Sequence, residues 1–508
     1  VSDLLRRFRP ALETVAWTAA FALSYAQSPL YTSNQNQYFL HGLARAGVGF
    51  LKDDWLARTA DPTVLFSWLV AALASWPWIF YLLYAALMGV YLYSLLAIGS
   101  SVVRLDTRAR RRLALATLLV VHSAALRYAL ARWVAPEAEF LIEGGVAGQR
   151  LLGPVLQPSS FGVLLVLSIA LYLKRNWTGA VLALAVSAAF HPTYLLSAGI
   201  LLAAYIALQV RRPDGRRVGI AMLLGGGALL AAVAVPVYLR FHPSGPDLYA
   251  IASDILIRLR IPHHAIPIKW LDFTVALQGL IVLGALVVVR RSTLFPILLV
   301  GTVSVVGLTL AQMLTGNPTL ALLFPWRLST VLVPVSSACL ASAGVAALAG
   351  RWERSTAALR IFQAVALLGV GLAVIAGIVR FRVEQEQQTH DPAAGVMGFV
   401  ARTVAAGDLY FIPPKLQDFR LRTGAPIVVD AKAIPYIDRE VVDWWDRLRL
   451  ARFFFRERLE LMGCSGADKA ASAYGATHVV LGPEQLGLVC PRFVELYNDG
   501  AYAVYRIR

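Results

Sequence analysis

A polytopic α-helical membrane protein with a small α/β domain at its C-terminal end is the fold class this sequence predicts. Of 508 residues, 58% are hydrophobic and only 15% are charged, with a mean hydropathy of +0.63; typical globular domains carry roughly 25% charge. Long apolar runs recur to about residue 382, and beyond about 383 charge becomes frequent while apolar runs shorten to strand length. The net charge of +17 does not call for nucleic acid, because most arginines sit in short loops between apolar runs.

In chain order, the first apolar run follows Arg6, Arg7 and Arg9 and contains Glu13. No small-residue cleavage site follows, so it reads as a retained first span. Eleven candidate spans result, at about 12–31, 78–99, 113–134, 160–174, 178–191, 193–211, 218–240, 272–290, 293–313, 326–349 and 358–380. The fourth and fifth are short, and His191-Pro192 breaks an otherwise continuous run as a hinge or re-entrant tip. With the N-terminus in the cytoplasm, the inside segments 1–10, 100–112, 174–177, 211–217, 290–292 and 350–360 hold 19 Lys or Arg in 48 residues. The outside loops 32–77, 135–159, 241–271 and 314–325 hold 7 in 114. That asymmetry predicts the orientation and leaves the C-terminal part extracytoplasmic.

The first outer loop, 32–77, carries the most local pattern. Phe39, Leu43, Ala46 and Phe50 share one helical face, with Asn34, Gln37, His41, Arg45 and Lys52 opposite, which predicts a helix lying apolar face down on a membrane surface. Asp53, Asp54 and Trp55 follow, then Asp61-Pro62 and a short apolar run, Val64 to Ala74, too short to cross a bilayer. Residues 1–382 read as the transmembrane domain, with interfacial helices in the first outer loop 32–77, and 383–508 as the extracytoplasmic α/β domain. There Leu409–Ile412, Ile427–Val429, Val479–Leu481 and Ala503–Ile507 read as strands, and Pro392–Val404, Asp438–Leu450 and Phe453–Met462 as helices. Trp444, Trp445 and Phe453-Phe454-Phe455 rest either on the membrane or in the domain's own core. Cys464 and Cys490 are candidates for a disulfide if that domain lies outside the cytoplasm, and Cys339 reads as a small core residue. Asn176-Trp177-Thr178 matches a glycosylation acceptor but falls on the cytoplasmic side.

The polar clusters that can carry chemistry fall on the outer side. Asp53 and Asp54, with His41, can act as a base or hold a divalent metal; equally, Asp54 can cap a helix and Asp53 be solvated. The loop from Pro136 to Pro158 offers Glu137, Glu139, Glu143, Gln149 and Arg150. Arg260-Ile261-Pro262-His263-His264 presents two imidazoles on a stiff loop, able to bind phosphate when protonated, to pass protons or to ligate metal. Arg327 opens a span, where it snorkels or meets a lipid phosphate. His191 is a further candidate for binding, or a hydrogen-bonded bundle histidine.

This layout resembles the GT-C superfamily of integral-membrane glycosyltransferases, which use polyprenyl-phosphate-linked sugar donors. The residues that carry the resemblance are Asn34-Gln35-Asn36-Gln37-Tyr38, the segment to Phe50, Lys52-Asp53-Asp54-Trp55, and Asp61 to Leu69. They are similar to the first loop of the lipid A aminoarabinose transferase and protein mannosyltransferase branches. Leu409–Pro414, Phe419–Tyr436 and Gly500–Arg508 look like segments of uncharacterised bacterial membrane proteins of the same layout.

The resemblance implies sugar transfer from a polyprenyl-phosphate donor to an acceptor, at the outer face of a bacterial inner membrane. Membrane lipid and the donor are its partners, and Mg or Mn, held by Asp53 and Asp54, is an open expectation. The family's catalytic carboxylate would fall near Asn34–Gln37, where this chain has amides, and an amide cannot act as a base. The role then passes to Asp53, Asp54 or a second-loop carboxylate, with Glu137 and Glu139 as candidates. Asn34, Gln37, His41, His191, Arg260, His263, His264 and Arg327 are the expected ligands of lipid phosphate or substrate. Two alternatives stand beside this reading: a non-catalytic member that binds lipid or scaffolds an envelope complex, and a transporter or lipid flippase.

Overall fold

The computed structural model of the protein describes residues 2–352, 355–457 and 463–508. The expected inside segment 350–360 and the expected helix Phe453–Met462 lie partly outside the described residues, as do the side chains of Arg6, Arg7 and Arg9. The chain packs as two compact units. A bundle unit comprises Val1–Gln27, Phe80–Val237 and Ile257–Arg382; a sheet unit comprises Ser28–Ile79, Tyr238–Leu256 and Val383–Arg508.

Among the described residues, six helices are long and apolar enough to cross a membrane: Trp78–Val102, Pro192–Val210, Arg216–Arg240, Leu294–Thr315, Pro318–Arg351 and Ala357–Thr389. The chain is therefore an α-helical, polytopic integral membrane protein. The expected span at 113–134 is a bent pair, Arg108–Val121 and Ala124–Trp133, meeting at 48°. Ser123 causes the restart: its hydroxyl accepts from Leu126 N and caps the second helix. His122 fills the break, with Nδ1 at 2.7 Å from Leu118 O and Nε2 at 3.3 Å from the Tyr91 hydroxyl. The expected spans near 160–174, 178–191 and 272–290 are helices of at most 17 residues. The first is Ser2–Tyr25, on which Glu13 pairs with Arg108 and Arg112. His191-Pro192 does interrupt the helical run, between Trp177–Phe190 and Leu195–Val210. Asn176 caps the helix that follows it, accepting from Gly179 N.

In the sheet unit, four strands run in the order β1-β2-β4-β3, where β1 is Tyr410–Phe411, β2 His478–Leu481, β3 Phe493–Asn498 and β4 Ala503–Ile507. The first pair is parallel and the other two are antiparallel. Strand alternation sorts the side chains into two cores. Phe411, Val479 and Leu481 face one core with Trp444, Phe454 and Phe455; Tyr410, Val480 and Val504 face another with Val396, Met397 and Phe419. Trp444, Phe454 and Phe455 are thus core residues of this unit. The expected strand Ile427–Val429 forms a single bridge, to Tyr410, because Pro426 lacks an N–H and Asp430 turns the chain with its carboxylate on Lys432 N and Ala433 N. Strand β3 was not expected; its register shifts between Glu495 and Tyr497, which blurs the period of two. Cys464 and Cys490 are disulfide-bonded.

The first loop folds within this unit. Its helix ends at Arg45 instead of Phe50, because Gly47 and Gly49 take positive φ (+75° and +51°). Gly49 lies against Gly424, where an added Cβ would meet the carbonyl oxygen at 2.6 Å. Phe39 and Leu43 are buried in protein, Phe39 packing on Phe66, while Ala46 is exposed. The apolar face expected to rest on a membrane surface is therefore a core face. Asp438, which opens the helix Asp438–Arg452, ties in the segment Tyr238–Leu256 by accepting from Ser244 N and Oγ.

Candidate functional site

The bundle unit concentrates its unusual chemistry around residues 141–150, in the loop that follows the bent helix pair. Protein hydrogen bonds pin this loop from several helices. Ser337 Oγ donates to Ile142 O, Gln278 Nε2 to Gly144 O, and Val146 N to Ser329 Oγ. Gly145 is required there, since a Cβ would sit 2.5 Å from Thr330 N. Just beyond, the Tyr84 hydroxyl accepts from Gly153 N and donates to Gly153 O.

Glu143 is the centre of one group. It is buried, with its carboxylate 3.7 Å from Arg127 Nε. Arg127 is itself 2% exposed, lies over the Tyr25 ring at 4.1 Å and donates to Tyr25 O. Among the described residues neither oxygen of Glu143 accepts a hydrogen bond. The Tyr25 hydroxyl is close enough to act on the carboxyl's charge but lies outside hydrogen-bond geometry. Burial pushes the Glu143 carboxyl up to about 7, against the pull of Arg127, Tyr25 and Arg150. Arg150 is held over the Phe140 ring at 4.0 Å. A buried carboxylate that titrates near neutrality, with open lone pairs between two guanidinium groups, is suited to take a proton and to sit beside an anion.

A second group gathers five of the expected ligands. Arg327 Nη1 lies 3.2 Å from His191 Nε2, and as arginine only donates, that nitrogen of His191 accepts. His264 Nδ1 lies 2.6 Å from Ala147 O and donates to it. Burial, with His263, Arg327 and Arg260 nearby, pulls His264 down to about 4. Burial thus disfavours the protonated imidazole expected at His264, and the arginines carry the charge beside it. His263 is exposed, its ring 4.1 Å from that of His264. Two residues of this group hold left-handed backbone, Ala147 (φ +60°) and Phe324 (φ +49°). For a bulky phenylalanine this is strain of the order of 1–3 kcal/mol, the kind that concentrates at functional sites.

The other expected residues lie elsewhere. Asp54 is fully buried in the sheet unit, where Oδ1 accepts from Leu56 N and Oδ2 from Arg420 Nε and Ile427 N. Asp53 is partly exposed and pairs with Arg58 at 3.0 Å. Gln37 clasps Ile434, donating to its O and accepting from its N. Asn34 lies next to the short helix Gln35–Tyr38 without a side-chain cap bond. His41 has Asp61 and Arg240 near it, and burial lowers its pKa. In the bundle unit, Glu137 is exposed and Glu139 lies 3.7 Å from Arg380. Among the described residues no three His, Cys, Asp or Glu side chains are grouped for a metal. With Asp54 saturated and Asp53 held by Arg58, this pair does not fit a divalent cation.

Glu143 was passed over as a catalytic candidate, although one cue was present: a lone carboxylate inside Phe140-Leu141-Ile142-Glu143-Gly144-Gly145-Val146 has no polar neighbour to solvate it.

Residues 394–451, the stretch that holds Arg420, Asp430 and Asp438, match a family model described as a domain of unknown function (DUF6798). A search of curated proteins finds no match. Among solved structures, ArnT from Cupriavidus metallidurans bound to undecaprenyl phosphate is similar over 98% of this chain and 98% of its own, at 14% identity and a TM-score of 0.44. Its apo state is similar over 99% and 98%, at 14% identity and a TM-score of 0.40. The likeness follows the whole course of the chain, at a level that assigns neither family nor activity.

Proposed function

We propose that this chain is a GT-C-type glycosyltransferase that moves a sugar from a polyprenyl-phosphate carrier to an acceptor hydroxyl at the outer face of a bacterial inner membrane. The observation that carries the reading is Glu143, buried 3.7 Å from Arg127, with neither oxygen bonded among the described residues and its carboxyl pushed up to about 7 by burial. The first-loop motifs supply the class of donor. The Lys and Arg asymmetry, together with a disulfide in the sheet unit, supports an extracytoplasmic C-terminal part.

In this reading Glu143 takes the acceptor's hydroxyl proton. The acceptor oxygen forms the new bond to the anomeric carbon, and the bond from that carbon to the phosphate oxygen breaks. Polyprenyl phosphate leaves with the electron pair, and Arg327 and Arg150 stabilise its charge. The gain in rate comes from positioning and from fixed positive charge in an enclosed site. Asp54 has no part in the chemistry, because its oxygens are committed to the sheet unit, and no step runs through a metal.

The test begins with mass spectrometry of lipids that co-purify with the protein in nanodiscs. A polyprenyl phosphate, bare or sugar-charged, is the expected find and names the donor to assay. Transfer by the wild type and its loss in Glu143→Gln, with carrier binding retained, is the expected pattern. Carrier binding with no transfer, and no response to Glu143→Gln, would move the reading to a non-catalytic lipid-binding protein.

A further inference from the structure

We infer that the indole N–H groups of Trp270 and Trp326 are phosphate ligands of the Arg327 group. Trp326 is completely buried and Trp270 is 6% exposed, their rings 5.2 Å apart. Among the described residues neither Nε1 has an acceptor, and the same holds for Arg327 Nε. A buried donor left without an acceptor is destabilising, and indole N–H groups are normally bonded when buried. Two such indoles in contact, one of them adjacent in sequence to an arginine in the same condition, are an unusual concentration of unmet donors.

The surroundings identify what would meet them. Trp270, Trp326 and Ala147 form one apolar cluster with Phe324 packed on it, and the Ala147 carbonyl is already taken by His264. The charged and titratable groups that act most on His264 are His263, Arg327 and Arg260, all basic. Among the described residues, the unmet groups Trp270 Nε1, Trp326 Nε1 and Arg327 Nε are all donors, and basic side chains surround them. A phosphate ester supplies several acceptor oxygens at one centre, and its organic part finds the aromatic wall beside it. Neutral indole donors add hydrogen bonds without adding further repulsion to a site that already holds arginines. Identifying the ester as a polyprenyl phosphate rests on the proposed function; the phosphate chemistry does not.

The test uses the full chain in nanodiscs, with inorganic phosphate, phosphatidylglycerol and a short-chain polyprenyl phosphate as separate probes. Binding is read for the wild type, Trp270→Phe, Trp326→Phe and Arg327→Gln. Phenylalanine keeps a ring and removes the N–H, but also loses volume. A further variant therefore carries benzothienylalanine at position 326, which keeps the bicyclic shape without the N–H. Loss of one hydrogen bond to a charged oxygen predicts binding about ten- to hundredfold weaker in each tryptophan variant. Wild-type binding in both the Phe and the benzothienyl variants at position 326 would overturn the indole assignment; if Arg327→Gln still lost the carrier, the proposed function would stand without it. Indole-dependent binding of inorganic phosphate or phosphatidylglycerol with no preference for the polyprenyl phosphate would uphold the phosphate site and remove the carrier. No binding of any probe by the wild type would overturn both.

Discussion

Two buried arginine–carboxylate groups among the described residues, one in each unit, are built on opposite plans. In the sheet unit Arg420 meets Asp54 at 2.8 Å and Asp430 at 2.9 Å, and both carboxylates take further hydrogen bonds from backbone N–H groups. In the bundle unit Arg127 stands 3.7 Å from Glu143, whose oxygens accept nothing among the described residues. Charge buried in low dielectric is tolerated when its lone pairs and protons are met. The first group is met by its own chain at most of its atoms, Arg420 Nη1 and Asp430 Oδ2 facing each other only as an ion pair, and reads as structure. The second is left open, and an open buried carboxylate is a place for chemistry. Judged from sequence alone the two would be ranked the other way, since Asp54 sits in the motif-bearing loop and Glu143 in an apolar run.

Four variants and a pH profile of the wild type break or sharpen this contrast. Arg420→Met should have the largest effect, because it strands two buried carboxylates at once; a loss of about 3–5 kcal/mol is expected, seen as failure to accumulate or as early proteolysis of the sheet unit. A stable, well-folded variant would show that the closed group is not structural. Glu143→Gln should leave folding intact and lower transfer by about 10²- to 10⁴-fold. In the wild type, transfer should fall as pH drops below about 7, the value burial gives this carboxyl, and not near 4.5. Its raised pKa also contributes stability that is present below about 4.5 and lost as pH rises through about 7, so the Gln variant should gain on the wild type across that interval in thermal unfolding.

Gln37→Ala removes the clasp on Ile434 and should cost about 1–3 kcal/mol, read as a lower Tm with transfer unaffected per folded molecule. Asp53→Asn should change least. Its pair with Arg58 is solvent-exposed, worth about 0–1 kcal/mol and screened by salt, so both Tm and transfer should match the wild type. A large loss of transfer in Asp53→Asn would return the catalytic role to the first loop.

The helices and three of the four strands were legible because composition and periodicity determine them locally. Val479–Leu481 and Ala503–Ile507 are apolar runs of strand length, and the structure pairs them directly. The five residues His191, Arg260, His263, His264 and Arg327 were also legible as candidates, since charge and proline next to apolar runs are visible in a linear string. Their convergence was not visible, because it is made by packing among distant helices. The same limit hid Asp54's partners, which lie far along the chain, and left Glu143 outside the catalytic set, since burial and open lone pairs have no signature in composition. The end of the first-loop helix at Arg45 was marked by Gly47 and Gly49, but apolar spacing outweighed that mark.

The reach of the Asp54–Arg420 bond has a consequence for how the protein is made. The two residues are 366 positions apart, and Gln37 is 397 from its partner Ile434. At about 5–20 residues per second, synthesis takes roughly 20 to 70 s to deliver Arg420 after Asp54 has left the ribosome. Throughout that interval Asp54 and Gln37 lack the C-terminal partners they bond in the folded protein. A nascent chain in this state is a ready client for chaperones and proteases. A chain cut short before Phe419 would lack both Arg420 and Ile434, and Asp54 and Gln37 would stay without these partners.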